Sequence, residues 1–256
     1  MARFAEYANK YQTIRMERRD GILQLTFHTD GGSLQWGLVP HREFTHAFAD
    51  IGSDPDTKVV IMTGTGDDFS GPRAVPSSRP AVNNPRHWDP VYWEGKHLLM
   101  NLLDIEVPII SAINGPAWRH SEIPLLSDIV LAAETAQFQD SAHFPNGMVP
   151  GDGMHVVYPL LLGANRGRYF LLTGQVLSAR QALEVGLVNE VLPKEQLLPR
   201  AWALAEQLIR QPPLTLRYSR VVLTQELKRR MLDLLGYGLA LEGLGLLDTA
   251  PARGAS

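Results

Sequence analysis

The chain has 256 residues, 45% of them hydrophobic, no cysteine and a net charge of -3. Such a length and apolar content suit one large domain, or one domain with a tail. Without cysteine there are no disulfides, zinc–thiolate sites or thiol nucleophiles. The mild charge argues against nucleic acid as a main partner and gives no sign of membrane-surface binding. The longest apolar runs fall far short of a membrane span. Residues Met1 to Gln12 carry no apolar signal-peptide core, so a soluble cytoplasmic protein is expected.

Thr13 to Arg18 and Ile22 to Phe27 flank Asp20-Gly21 and predict an opening β-hairpin. Pro40 to Asp50 predicts a helix, with Phe44, Ala47 and Phe48 on one face. Lys58 to Thr63 reads as a buried strand. Gly64 to Pro90 reads as a long irregular loop, of a length that is usually functional. Asp89 to Leu103 returns to helical periodicity. Pro108 to Ile113 and Ile129 to Ala133 are further buried strands. Strands separated by helical stretches predict βα units and a largely parallel sheet. After Gly163 the pattern is nearly all helical: Asn165 to Leu172, Ser178 to Val185, Glu195 to Arg210, Pro213 to Thr224 and Gln225 to Leu247. A composition shift near Pro193 divides an α/β core, 1–193, from a helical region, 194–256.

The stretch Ser141 to Gly153, SAHFPNGMVPGDG, carries the chemistry most directly. Its prolines and glycines disfavour helix and strand, and a loop can return Asp152 to His143. A carboxylate-held imidazole is a tuned general base that can activate water. From spacing alone, a loop histidine near an unrelated surface aspartate is the somewhat better explanation of the pattern. Adding His155 would make a metal set, but no further ligand motif accompanies it, and no metal is expected. Glu242 is conspicuous on a face of leucines, because carboxylates are rarely buried without a partner. Trp36, His41 and His120, each taken alone, read as an ordinary aromatic and solvated histidines.

Three blocks, NGPAWRHSEIPLLSDIVLAAETAQFQ, GMVPGDG and LLTGQVLSARQALEVGLVNEVLP, resemble the crotonase (enoyl-CoA hydratase/isomerase) superfamily across nearly the whole chain. The resemblance implies a crotonase-like spiral of ββα units, with C-terminal helices that assemble a homotrimer or a dimer of trimers. It also implies two backbone N–H groups that hold a thioester oxyanion. Here Pro72, in DFSGPRAV, has no N–H to give. Arg119, His120 and Ser121 replace the usual glycine run. Glu122 falls at the first hydratase glutamate position and His143 at the second.

These departures resemble the β-diketone hydrolase branch, the 6-oxocamphor hydrolase kind, on LQW with Trp36, His41, RHSEIP with His120, AHFPNGMVPGDG with His143 and Asp152, and GLALE with Glu242. The resemblance implies retro-Claisen hydrolysis of a cyclic or bicyclic diketone to a keto acid, without coenzyme A, cofactor or metal. His143 oriented by Asp152 is then the base and His120 an oxyanion donor. Trp36 is a carbonyl donor and apolar wall. Glu242 orients substrate or returns a proton, and His41 tunes the dyad. Trp88 and Tyr92 would wall an apolar pocket, and the long loop would set selectivity. Arg73, Arg79 and Arg86 in and near that loop leave a coenzyme A ligand open. The alternatives are a divergent CoA-dependent hydratase, isomerase or thioester hydrolase, and a non-catalytic crotonase-fold scaffold.

Overall fold

The computed structural model describes residues 1–74, 82 and 84–248. Arg79 and part of the loop expected over 64–90 lie outside the described residues. The chain opens with α1 (Phe4–Tyr7), then β1 (Ile14–Arg19) and β2 (Ile22–Phe27) as an antiparallel hairpin with Arg19 opposite Ile22. Its two-residue turn needs positive φ at both positions; Asp20 stands at 55° and Gly21 at 86°.

From β2 the sheet runs parallel through β3 (Val59–Gly64), β4 (Ile109–Ile113), β5 (Ile129–Ala133) and β8 (Glu190–Leu192), in the order β1-β2-β3-β4-β5-β8. Both faces of β3 and β4 are buried, so these strands read as unbroken apolar runs. Against one face, Ile22, Val59, Ile61 and Ile110 meet Leu197, Ala201 and Ala205 of α8 (Lys194–Leu208). The opposite face carries the larger core, with Phe44 and Phe48 of α2 (Leu38–Gly52) and Leu98, Leu99 and Leu102 of α3 (Pro85–Asp104).

Several elements differ from the sequence expectation. Helix α3 starts before Asp89, because Asn84 accepts from the Arg86 N–H and Pro85 occupies the first turn, a start that needs no proline N–H. Pro90 therefore sits inside a helix instead of ending a loop. The region after Gly163 is not all helical. Alongside α6 (Ala164–Thr173) and α7 (Ala179–Glu184) it holds β8 and β7 (Leu177–Ser178), and β7 pairs antiparallel with β6 (Gln137–Phe138). Strands this short carry no periodic signal. The last two expected helices are one, α9 (Pro213–Asp248), since nothing at Thr224-Gln225 breaks the backbone ladder. Two further helices, α4 (Glu122–Leu125) and α5 (Met154–Leu162), lie between β4 and α6. No helix among the described residues is long and apolar enough to cross a membrane.

Candidate active site

Four segments converge beyond the end of β4. The loop after β4 brings His120 and leads into α4 with Glu122; the loop after β6 brings Asp140 and His143. The turn before α5 brings Asp152, and α9 reaches back with Glu242. His143, Asp140, Asp152, Glu122 and Glu242 are all buried. The approach of α9 depends on glycine: a Cβ on Gly151 would lie 2.2 Å from the Gly238 carbonyl oxygen and 2.8 Å from Glu242 Cβ.

His143 sits between carboxylates. Its Nε2 lies 3.3 Å from Asp152 Oδ2 and 3.5 Å from Glu242 Oε1, all within one chain. Its Nδ1 lies 2.6 Å from Asp140 Oδ1. Asp152, expected to orient the ring, thus faces Nε2, and Asp140 faces Nδ1. Asp140 was not singled out in the sequence. Its signal there was a carboxylate three residues before the histidine, in a segment flanked by apolar Phe138.

His120 has φ 47°, a left-handed conformation for a non-glycine residue. Neighbours on every side hold it there. Its Nδ1 lies 2.7 Å from Glu122 Oε1 and 3.5 Å from Asp152 Oδ2. The next residue, Ser121, pairs its hydroxyl with that of Tyr158 at 2.7 Å. The Trp36 indole lies over the His120 ring, centroids 4.1 Å apart and planes at 36°. An indole face attracts a positive ring, so Trp36 supports the imidazolium form of His120.

His41 lies one ring further out, 5.9 Å from His120 between centroids. Its Nδ1 meets Glu94 Oε2 at 3.1 Å, and Arg42 donates to the other Glu94 oxygen. Burial pulls His41 below the ordinary histidine range, with Glu94 opposing. The hydrogen bonds from His41 and Arg42 keep Glu94 below the usual carboxylate value against its burial. A neutral His41 donating to an ionised Glu94 satisfies both. Glu94 was missed because it is one acidic position on a long mixed helix.

The expected pocket walls are placed differently. Trp88 is buried between α3 and α9 and donates its indole N–H to the Leu239 carbonyl at 2.9 Å. Its ring therefore fastens two helices. Tyr92, half-buried one turn later, packs against the same core with its hydroxyl toward Gly236. His155 is structural, with its ring nitrogens 3.0 and 3.1 Å from the carbonyls of Pro150 and Leu234. It takes no part in a set with His143.

The electrostatics divide the cluster. Burial alone would pull the His143 imidazolium down, but the charges of Asp152 and Asp140 outweigh it and hold His143 well above the ordinary histidine range. His120 is likewise raised against its burial, by Glu122 and Asp152. Burial pushes the Asp152 carboxyl up, yet His143 and His120 bring it far below the usual carboxylate range. Glu122 and Glu242 go the other way: burial dominates and raises both. Each keeps one buried oxygen without a hydrogen-bond partner among the described residues, as Asp140 and Asp152 also do. Charge thus favours an ionised Asp152 beside the protonated forms of His143 and His120, while burial disfavours ionised Glu122 and Glu242.

Two overlapping sets, His120–Glu122–Asp152 and His143–Asp152–Glu242, have ligand atoms within 4.8 Å of one another, close enough for a small cation. An imidazolium offers no lone pair, so a cation there would compete with the proton on each ring. On the side of the site where a thioester oxyanion would need amides, the N–H of Phe69 is given to Pro116 O and that of Gly71 to Leu34 O. Pro72 has none, and its carbonyl accepts from Arg119 Nε.

Across 96% of this chain and 98% of the other, the fold matches a β-diketone hydrolase of the cyanobacterium Anabaena, bound to (S)-3-oxocyclohexyl acetic acid, with TM-score 0.93 and 51% identity. An enoyl-CoA hydratase/isomerase of Mycobacterium paratuberculosis matches at TM-score 0.83 and 25% identity, over 92% of this chain and 94% of the other. A carnitinyl-CoA dehydratase of Salmonella paratyphi A is 31% identical over 172 residues, 66% of this chain, which spans 64% of that relative's length. The enoyl-CoA hydratase/isomerase family pattern matches residues 17–235. The mixed α/β architecture, the parallel sheet and this match over most of the chain together make the protein a member of the enoyl-CoA hydratase/isomerase family, the crotonases.

Proposed function

We propose that the protein is a hydrolase that cleaves a carbon–carbon bond of a cyclic or bicyclic β-diketone without coenzyme A, cofactor or metal. The observation that carries this reading is the constellation of half-buried His120 with buried His143, Asp152 and Glu242, a proton-transfer site where acyl-CoA chemistry would need free amides. The 51% identity to a β-diketone hydrolase over almost all of both chains supports it.

Water adds to one carbonyl of the diketone, the bond to the central carbon breaks, and the electron pair leaves as the enolate of the second ketone. Protonation at carbon completes a keto acid, with one water consumed. The second ketone is the electron sink. His143 and Asp152 take the proton from water, which requires the ring to be deprotonated first. His120, raised toward its imidazolium form, donates to a developing oxyanion. Glu242, with its raised carboxyl, returns a proton to carbon. Trp36 supports His120 and presents an apolar face to an alicyclic substrate.

The test is turnover of a symmetric bicyclic 1,3-diketone by the purified protein with no coenzyme A or metal added. Loss of diketone with stoichiometric keto acid is expected. No consumption across several ring sizes, together with turnover of an acyl-CoA, would replace this reading with a CoA-dependent one. The observation favouring that second reading is Glu122, a buried carboxyl inside the site of a chain related to carnitinyl-CoA dehydratase.

We further take the protein to assemble through its C-terminal helices as a homotrimer or a dimer of trimers. Leu214, Tyr218, Val222 and Leu223 leave a large apolar surface exposed on α9, and such surfaces mark contacts. A mass in solution that is not a multiple of three chains would overturn this.

A further inference from the structure

Asp140 is fully buried at the end of β6 and touches no group that would bind a diketone in the scheme above. One of its oxygens, Oδ1, serves both ends of a single residue: it lies 2.6 Å from His143 Nδ1 and 3.3 Å from the His143 backbone N. The surrounding turn is fastened in the same place. Asn146 donates to the Ser141 carbonyl at 2.7 Å, and the Met148 N–H returns to the His143 carbonyl at 3.1 Å. His143 itself has φ -96° and ψ -101°, outside regular structure, just ahead of the short 3-10 turn Phe144–Asn146. Ring and main chain are thus located together by one carboxylate. The contacts on the opposite ring nitrogen are longer, 3.3 Å to Asp152 and 3.5 Å to Glu242, and are shared between two acids.

An imidazole has two nitrogens, and the partner of one decides what the other can do. We propose that Asp140 is the positioning residue of the reaction: it accepts the Nδ1–H hydrogen bond of His143, fixes the ring, and leaves Nε2 to exchange a proton with Asp152, Glu242 and water. Asp152 then works on the substrate side of the ring and does not orient it. This rests on the hydrolase reading above. The arrangement follows the logic by which a buried aspartate holds the histidine of a hydrolytic triad. The charged or titratable groups facing His143 are Asp140 from the β6 loop, Asp152 from the turn before α5, Glu242 from α9 and His120 from the β4 loop. Removing the Asp140 charge therefore lowers the His143 pKa without changing the substrate-facing acids.

The test compares Asp140→Asn with Asp152→Asn by steady-state kinetics against pH and by nitrogen-15 NMR of the histidine rings. For Asp140→Asn, kcat falls by up to about 10⁴-fold, the loss seen for the orienting aspartate of a triad. KM for the diketone stays within a few-fold, and the pH limb assigned to His143 moves down. At a pH above that limb, where the ring is neutral, NMR shows His143 leaving its single Nδ1–H tautomer in Asp140→Asn and keeping it in Asp152→Asn. Unchanged kcat and pH profile in Asp140→Asn, or loss of the tautomer only in Asp152→Asn, overturns the proposal. If the wild type turns over no diketone, the hydrolase reading falls, while the two NMR spectra still decide for or against Asp140. If Asp140→Asn does not fold, the wild-type and Asp152→Asn spectra decide. A hydrogen-bonded Nδ1 proton present in both at a pH where the ring is neutral supports Asp140, and its loss in Asp152→Asn overturns it.

Discussion

Glu242 Oε1 on α9 lies 3.5 Å from His143 Nε2 in the β6 loop, because Gly151 and Gly238 let their two backbones meet between them. Gly238 leaves equally little room, since a Cβ there would fall 2.4 Å from the Gly151 carbonyl oxygen. Gly151→Ala is therefore expected to push α9 outward. Overpacking of this kind costs about 1–3 kcal/mol, so a thermal melt should show a lowered midpoint, and turnover should fall with it as Glu242 leaves His143. Wild-type turnover and melting in Gly151→Ala would mean that the close approach is not needed.

His143→Ala and Asp152→Asn are expected to fold and to lose turnover by about 10²–10⁴-fold each, the usual weight of a general base. Circular dichroism checks the fold and progress curves check the rate. Full activity in both variants would leave the site without its base.

The pH dependence of stability follows from the directions of the shifts. His143 has a folded pKa above its unfolded value. Its contribution is fully present below the unfolded pKa, about 6.5, and is lost as pH rises through the folded pKa. Asp152 has a depressed folded pKa. Its contribution is present above the unfolded value, about 3.9, and is lost as pH falls through the folded pKa. Denaturant titrations across pH should show wild type and His143→Gln converging on the alkaline side, and wild type and Asp152→Asn converging on the acid side. Activity is expected to rise through the raised His143 pKa, since the ring must lose its proton to act as a base. A rate that falls across the same limb would make His143 an acid.

Trp36→Phe keeps an aromatic face over His120, and Trp36→Ala removes it. The imidazolium stack is worth about 0.5–2 kcal/mol. NMR titration should therefore find the His120 pKa lowered in Trp36→Ala and nearly retained in Trp36→Phe. The same pKa in both variants would mean that Glu122 and Asp152 alone hold the charge.

Chelation is expected to leave turnover unchanged, whereas added Zn²⁺ should inhibit as pH rises and the two rings lose their protons to His143–Asp152–Glu242 or His120–Glu122–Asp152. Turnover that disappears with a chelator and returns with a metal would reverse this view of the cluster.

Much of the architecture was legible because its causes are local. Asp20-Gly21 requires a tight hairpin whatever surrounds it, and β3 and β4 show as apolar runs because both of their faces are covered. His120, His143, Asp152 and Glu242 could also be named in advance, from residues that depart from a recognisable family pattern. Other features had no local cause. The pairing of β6 with β7 joins two-residue strands far apart in sequence. The hydrogen bond from Trp88 to the Leu239 carbonyl joins helices far apart in sequence.

The division runs through the site itself. Residue types and order named an imidazole with a carboxylate nine positions on. Only the folded chain decided that Asp140 meets Nδ1 while Asp152 and Glu242 share Nε2. Spacing along a loop limits how far two side chains can be apart, but it does not choose which ring nitrogen faces which oxygen. That choice is made by backbones from β6, α5 and α9 packing at van der Waals distance, with glycine where a side chain would not fit.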